Sequence, residues 1–266
     1  MAENQNVQTR SKLVIAIDFG TTFSGVAFQH TSRAADVTER DAKSVAESVN
    51  VIRQWPNRSN LYAEKTATVI AYNRQPPTWG GTVQQMHHPR FDNFKLGLEA
   101  KVPEHYGIPG NTTPEALLQE FGDHEQLRDK KPVDLAADYL GCLYKFVHET
   151  FLPGEYGAQF LRIQDMSYII TVPAIWSDSA KALTRQAATR AGIPGNKLLM
   201  IPEPEAAALY CATMADDVDL KEGDRFLVCD AGGGTVVNKF YRPADSRTLF
   251  PTRYSRAFPS RFKSAA

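Results

Sequence analysis

This chain carries no net charge: 30 Lys and Arg residues are matched by 30 Asp and Glu residues over 266 positions. No net field therefore draws the molecule to nucleic acid or to an anionic membrane surface. Cysteine is scarce as well. Cys142, Cys211 and Cys229 are odd in number, far apart, set in apolar contexts and without a CxxC pair. That usage argues against a disulfide framework or a zinc site and predicts buried thiols in a reducing, cytoplasmic setting. No apolar run approaches the length of a membrane span, and the opening MAENQNVQTRSK lacks an apolar signal region. Neither a Walker A pattern nor GxGxxG occurs, which removes phosphate binding of the P-loop or Rossmann type, and no repeat of solenoid period is visible. The adjacent His87 and His88 point apart and have no third ligand nearby, so they predict a surface loop rather than a metal centre. Ser177, Asp178 and Ser179 have no histidine beside them and predict a helix start rather than a nucleophile.

What is present has the periodicity of an α/β protein. Residues 1–11 are expected to form a disordered leader. The apolar run KLVIAIDFG then has strand length and closes on glycine, and a second strand is expected around Gly25 to Gln29, making a hairpin with a polar tip. Turn signals punctuate residues 50–129 around a β-like LYAEKTATVIAY, and a charged, helix-like stretch covers 113–127, as for an inserted subdomain. VDLAADYLGCLYKFVHET (133–150) places Leu135, Tyr139, Leu140, Leu143, Phe146 and Val147 on one helix face. After strand MSYIITVP, Ser177 and Asp178 can cap a helix whose stripe is Ala180, Leu183, Ala187, Ala188 and Ala191, with Gly192 and Pro194 ending it. A strand LLMIPEP leads to an alanine-rich helix over 205–214. Trp55, Trp79 and Trp176 are expected to pack.

Two segments share one design. IDFGTTFSG (17–25) and CDAGGGTVV (229–237) each run an apolar strand into aspartate, glycine and threonine. Glycines let backbone amides approach anionic oxygens, and threonine hydroxyls add donors. An aspartate at a strand end can hold magnesium through water, because Mg²⁺ keeps most of its hydration shell and prefers carboxylate oxygen. Asp18 and Asp230 are the candidates for metal binding.

Four segments, IDFGTTFSGVAF, TVPAIWSDSAKALTRQAATRAG, IPEPEAAALY and FLVCDAGGGT, stand in the order and approximate spacing of the phosphate and connecting motifs of Hsp70 nucleotide-binding domains. The chain resembles a divergent Hsp70-like member of the actin and sugar-kinase ATPase superfamily over residues 12–235. The resemblance implies a ribonuclease-H-like, actin-like ATPase fold, with lobe I plus the first strands of lobe II. It implies ATP or ADP with Mg²⁺ clamped between Asp18 and Asp230, the phosphates gripped by Gly20, Thr21, Thr22 and Phe23 on one side and by Gly232, Gly233, Gly234 and Thr235 on the other. By the same resemblance Glu203 orders magnesium waters and the attacking water, and Lys95 stabilises charge on the transferring phosphoryl group, an electrostatic role. A solvated helix lysine is the alternative reading of Lys95. Pro173 matches a proline that relays nucleotide state. The arginine expected eight residues on is Lys181, which keeps the charge but loses the planar fork.

The pattern breaks near the end. Val237 stands where the family expects an aspartate, and from Asn238 onward Lys239, Arg242, Arg247, Arg253, Arg256, Arg261 and Lys263 face only Asp245. The strand is expected to give way there to a basic, disordered tail over 241–266, as from a truncated or altered reading frame; the aromatic-basic mixture also suits single-stranded nucleic acid, but less well. The organisation expected is a lobe I core over 12–49 and 130–214, an inserted lobe I subdomain over 50–129 and the start of lobe II over 215–240. Two functions compete: an Mg-ATP hydrolase of chaperone type, with co-chaperones as partners though no peptide-binding domain is present, or a non-catalytic fragment that binds nucleotide or protein weakly. A sugar-kinase relative would share the opening motif but not TVPAIW followed by IPEPEAAALY.

Overall fold

The computed structural model describes residues 11–31, 48–56, 63–84, 90–99, 130–214, 226–231, 236–242 and 263–264. The hairpin expected at the start is β1 (Ser11–Phe19) against antiparallel β2 (Phe23–Thr31). Period-two alternation buries Leu13, Ile15, Ile17 and Phe19 on one face of β1 and turns Lys12, Val14, Ala16 and Asp18 to the other. β7 (Gln164–Val172) pairs parallel to β1, and β8 (Leu198–Pro202) pairs parallel to β7.

The far edge of β2 is shared by two short strands: β3 (Asn50–Val51) pairs with Ala27 and Phe28, and β4 (Lys65–Ala67) pairs with Phe23 to Gly25. The sheet order is β3-β2-β1-β7-β8, with β4 beside β2. Part of the stretch expected as an inserted subdomain therefore belongs to the main sheet. A separate ladder joins β5 (Ile70–Ala71) and β6 (Thr78–Trp79), followed by a single helical turn, α1 (Gly81–Gln84). His87, His88 and the expected helix over 113–127 lie outside the described residues.

Helix α2 (Pro132–Lys145) buries Leu135, Tyr139, Leu140 and Leu143 in one cluster with the inner face of β1. It continues through a π turn (Phe146–Phe151) into α3 (Leu152–Tyr156). The widened turn falls directly before Pro153, which has no N–H for the regular helical bond. Helix α4 (Asp178–Arg190) packs beside α2 and contributes Ala180, Ala187 and Ala188 to the same core. Its N-cap is Ser177, whose Oγ accepts from the Ala180 N–H at 3.1 Å. Small residues on the α4 stripe let the two helices approach closely. Trp55 and Trp176 are buried and Trp79 packs against the same cluster, as expected. The mixed parallel and antiparallel sheet with its helical layer is the α/β fold of an actin-like ATPase lobe I.

Helix α5 (Glu203–Met214) begins two residues earlier than its alanines suggest, so Glu203 opens a helix instead of ending a strand. Hairpin β9 (Phe226–Ala231) and β10 (Val236–Arg242) lies against α5. Here the sequence expectation needs correcting: the strand does not give way at Asn238. VVNKFYR keeps β-branched and aromatic residues along its length and finds a full cross-strand partner in FLVCDA, from Val236 opposite Ala231 to Tyr241 opposite Phe226. Within the expected tail, β11 (Lys263–Ser264) pairs with Tyr241 and Arg242; residues 243–262 lie outside the described residues. The cysteines also depart from expectation. All three are free, but Cys211 and Cys229 are exposed and Cys142 is only partly buried. Among the described residues no helix is long and apolar enough to cross a membrane.

Candidate functional site

Three parallel strands end side by side, and each carries a polar side chain at or just past its C-terminal end. Asp18 is the penultimate residue of β1, Thr171 the penultimate residue of β7, and Glu203 follows the last residue of β8. Crevices at this edge of an open α/β sheet are where such folds bind ligands.

The Asp18 carboxylate is 39% exposed and fully engaged: the Thr171 hydroxyl donates to Oδ1 at 3.0 Å and the Lys65 ammonium donates to Oδ2 at 2.6 Å. The turn that follows is held by close backbone contact. A Cβ on Gly20 would stand 2.1 Å from the Phe23 carbonyl oxygen, a distance no real side chain tolerates, so only glycine closes this turn. Thr21 is buried, Thr22 half-buried and Phe23 exposed. The Thr22 carbonyl accepts from the Thr68 N–H at 2.8 Å, fastening the turn to the chain that leaves β4. Beneath it, the Ser24 and Thr68 hydroxyls share a hydrogen bond at 2.8 Å, and the buried Tyr139 hydroxyl donates to the Ala67 carbonyl at 3.0 Å. Burial drives the Tyr139 phenol above its ordinary range, opposed by those two hydroxyls, so it stays a neutral donor.

Lys95 is not a solvated lysine. Its side chain is only 2% exposed, and the ammonium donates to Glu203 Oε1 at 2.6 Å. The same nitrogen lies 5.6 Å from the centre of the Phe19 ring and 5.4 Å from that of Trp176, so two aromatic faces cover a charge that water has left. Phe19 is the neighbour of Asp18, and the Lys95–Glu203 pair therefore joins the β8 end of the sheet edge to the β1 end. Asn93, in the left-handed region at φ 55°, starts the tight turns that bury Phe94 to Leu98; asparagine tolerates that conformation better than most residues. The far end is clamped by Glu99, whose carboxylate accepts from the Ser177 N–H at 2.8 Å and from its hydroxyl at 3.0 Å. A carboxylate at the start of α4 also meets the positive end of that helix.

Pro173 is buried, and its carbonyl accepts from the Trp176 N–H at 3.3 Å; Lys181 pairs with Asp178 at 3.5 Å along one helix face. Asp230 lies in β9 opposite Val237, without a description of its side chain, and Gly232, Gly233, Gly234 and Thr235 lie outside the described residues. Among the described residues no cluster of three or more His, Cys, Asp or Glu side chains could hold a metal by itself. A cavity of about 560 Å³ opens instead on the outer face of the sheet, among Val14, Ala16, Ala27, Ile169 and Leu199, and contains none of the predicted site residues. Sequence reasoning missed Thr171 and Lys65. The available signals were a threonine breaking the apolar run YIITVP and a lysine inside a β-like stretch.

The fold is that of an actin-like ATPase lobe I. No protein-family model matches the chain. It is 27% identical to human heat shock 70 kDa protein 12A over 88% of its own length, 26% identical to human heat shock 70 kDa protein 12B over 77%, and 28% identical to a chaperone protein HscA homolog of Neisseria meningitidis over 85%. The chain spans 41%, 28% and 32% of those relatives, respectively. These likenesses support reading it as a divergent Hsp70-like family member.

Proposed function

We propose that this chain is the nucleotide-binding part of an Hsp70-type ATPase of the cytoplasm, taking Mg-ATP at the edge where β1, β7 and β8 end and hydrolysing it to ADP and phosphate. The observation that carries the reading is the lining up of Asp18, Thr171 and Glu203 on adjacent parallel strand ends, with the glycine-dependent turn at Gly20 beside them. The partly exposed Asp18 carboxylate is a hard oxygen donor of the kind that holds a hydrated Mg²⁺. The metal would supply charge neutralisation of the phosphates.

Each chain residue then has a task. The turn from Gly20 through Thr21, Thr22 and Phe23 offers amides and hydroxyls to phosphate oxygens. Asp18, oriented by the Thr171 hydroxyl, holds metal-bound water in place. Glu203 accepts a proton from, or orients, the attacking water, and the Lys95 ammonium donates to it at 2.6 Å. Lys95, buried behind Glu203, adds positive potential where negative charge grows on the transferred group, an effect strongest for a desolvated cation. Asp230 and the loop Gly232, Gly233, Gly234 and Thr235 form the opposing grip, and Pro173 with Lys181 relays the nucleotide state to co-chaperones or further domains.

Calorimetric titration of the full chain with Mg-ADP tests the reading. Asp18→Asn should cut Mg-ADP binding to the level seen with a chelator and His87→Ala should leave it unchanged; Mg-ADP binding undiminished by Asp18→Asn, or none in the parent chain, rejects it.

A further inference from the structure

Lys65, Gly25 and Asp18 stand in one row across three neighbouring strands: Gly25 pairs with Asp18 on one side and with Lys65 on the other. Between two long side chains pointing the same way, the middle residue would ordinarily block the approach. Here it has no side chain. A Cβ at Gly25 would lie 3.3 Å from Lys65 Cγ and 3.9 Å from Lys65 Cε, so the aliphatic stem of Lys65 lies along the groove left by Gly25 and delivers its ammonium to Asp18 Oδ2 at 2.6 Å. The other oxygen of Asp18 is taken by Thr171.

We propose that Lys65 is a tethered cation that occupies the metal-facing oxygen of Asp18 and competes with the divalent ion for it, so that the metal dependence of nucleotide binding is set by displacement of Lys65. The inference rests on the nucleotide reading of the site and adds a positioning residue to it. One oxygen cannot present the same lone pair to an ammonium at hydrogen-bond distance and to the hydration shell of a magnesium ion. Binding of the divalent ion at this oxygen would require the ammonium to leave it, and the bare Gly25 beside the Lys65 stem leaves room for that. Lys65 is 53% exposed at its side chain, so no packed structure has to open for that movement. In the nucleotide-free protein the lysine keeps Asp18 from standing as an unpaired carboxylate.

The test compares the affinity of the full chain for ADP with saturating Mn²⁺ and with a chelator in its place; the ratio of the two affinities is the metal-dependent gain. Mn²⁺ also reports its own binding through its paramagnetic resonance spectrum. Removing the competitor by Lys65→Met should raise the gain about two- to fivefold, the range set by the worth of an exposed ion pair. Lys65→Arg, which keeps a cation, should stay near the parent value. A Lys65→Met gain equal to or below the parent, in a protein with unchanged melting temperature and with the gain still abolished by Asp18→Asn, overturns the competition while leaving the nucleotide reading intact. If parent, Lys65→Met and Asp18→Asn all lack any gain, both ideas fall together, and the identity of the three results identifies that case.

Discussion

Removing the charge of Glu203 should cost the fold more than removing the charge of Lys95, although the two form one ion pair. At 2.6 Å and an effective dielectric of about 20, their gross attraction is on the order of 6 kcal/mol. Desolvation of two ions cancels much of this, so the pair itself adds little, but deleting one partner takes this compensation from the other, typically at about 3 to 5 kcal/mol. The two losses are unequal. Lys95 is 2% exposed and Glu203 14%. Glu203→Gln leaves a cation enclosed by Phe19 and Trp176 with no route to water; the amide oxygen still accepts one hydrogen bond, which puts the loss near the lower end, about 3 kcal/mol. Lys95→Met puts a thioether of similar length against the two rings, and the remaining carboxylate can draw on solvent, for a loss of about 1 to 2 kcal/mol. The double variant should cost less than the two losses together, by about 1 to 2 kcal/mol of coupling. Urea unfolding of all four proteins measures this, with a common slope as the check that only stability has changed. Additivity within about 0.5 kcal/mol would show that the ammonium and carboxylate do not depend on each other and would refute the buried-pair account; losses of equal size would refute the unequal burial of the two charges.

Three further outcomes are expected. Gly20→Ala drives a methyl group into the Phe23 carbonyl, and because a backbone atom cannot step aside it should cost about 2 kcal/mol or more and eliminate any nucleotide-dependent rise in melting temperature. Burial pushes the His148 imidazole, which is hydrogen-bonded to the Tyr168 hydroxyl at 3.2 Å, down to about 4. The unfolded chain therefore holds the extra proton between pH 4 and about 6.5, and this contribution is complete above that window and lost as pH falls through it, up to about 3 kcal/mol. In His148→Gln, the stability profile from denaturant midpoints should be flatter over the same range. Ser177→Ala removes the N-cap of α4 and one of the two bonds to Glu99; it should cost about 1 kcal/mol and speed amide exchange in the first turn of α4.

The elements were legible because their signals are local. Alternation in KLVIAIDF, the stripe Leu135, Tyr139, Leu140 and Leu143, and the sequence Ser177 to Gly192 each depend on spacings of two to four residues, and each appears as an element with the expected buried face. Expectation failed where a segment's partner was remote or its composition misled. Asn50–Val51 looks irregular alone and becomes a strand only because β2 has a free edge for it. VVNKFYR reads as the start of a basic tail, yet β9 supplies its ladder. Cys229 sits in an apolar word, LVCD, but on a strand whose face there is open.

The same distinction separates the parts of the site. Glu203 enters by family resemblance alone, its helix starting two residues before the alanines suggest, whereas Asp18 and Gly20 announce themselves because a strand end and a glycine turn are local events. Their partners do not. Lys65 is 47 residues from Asp18, Lys95 is 108 from Glu203, and Thr171 is 153 from Asp18. No periodicity links such positions; topology does, by making β1, β7 and β8 neighbours and by leaving Gly25 bare between Asp18 and Lys65. Lys95 shows the consequence most sharply. Within FDNFKLGLEA a lysine between apolar residues suggests a solvated helix face, and only the closing of that segment over Phe19 and Trp176 turns it into a buried charge that must have Glu203 opposite. A residue whose ionic partner is fixed by fold topology cannot be assigned from its own neighbourhood, and that holds for Lys65 as much as for Lys95.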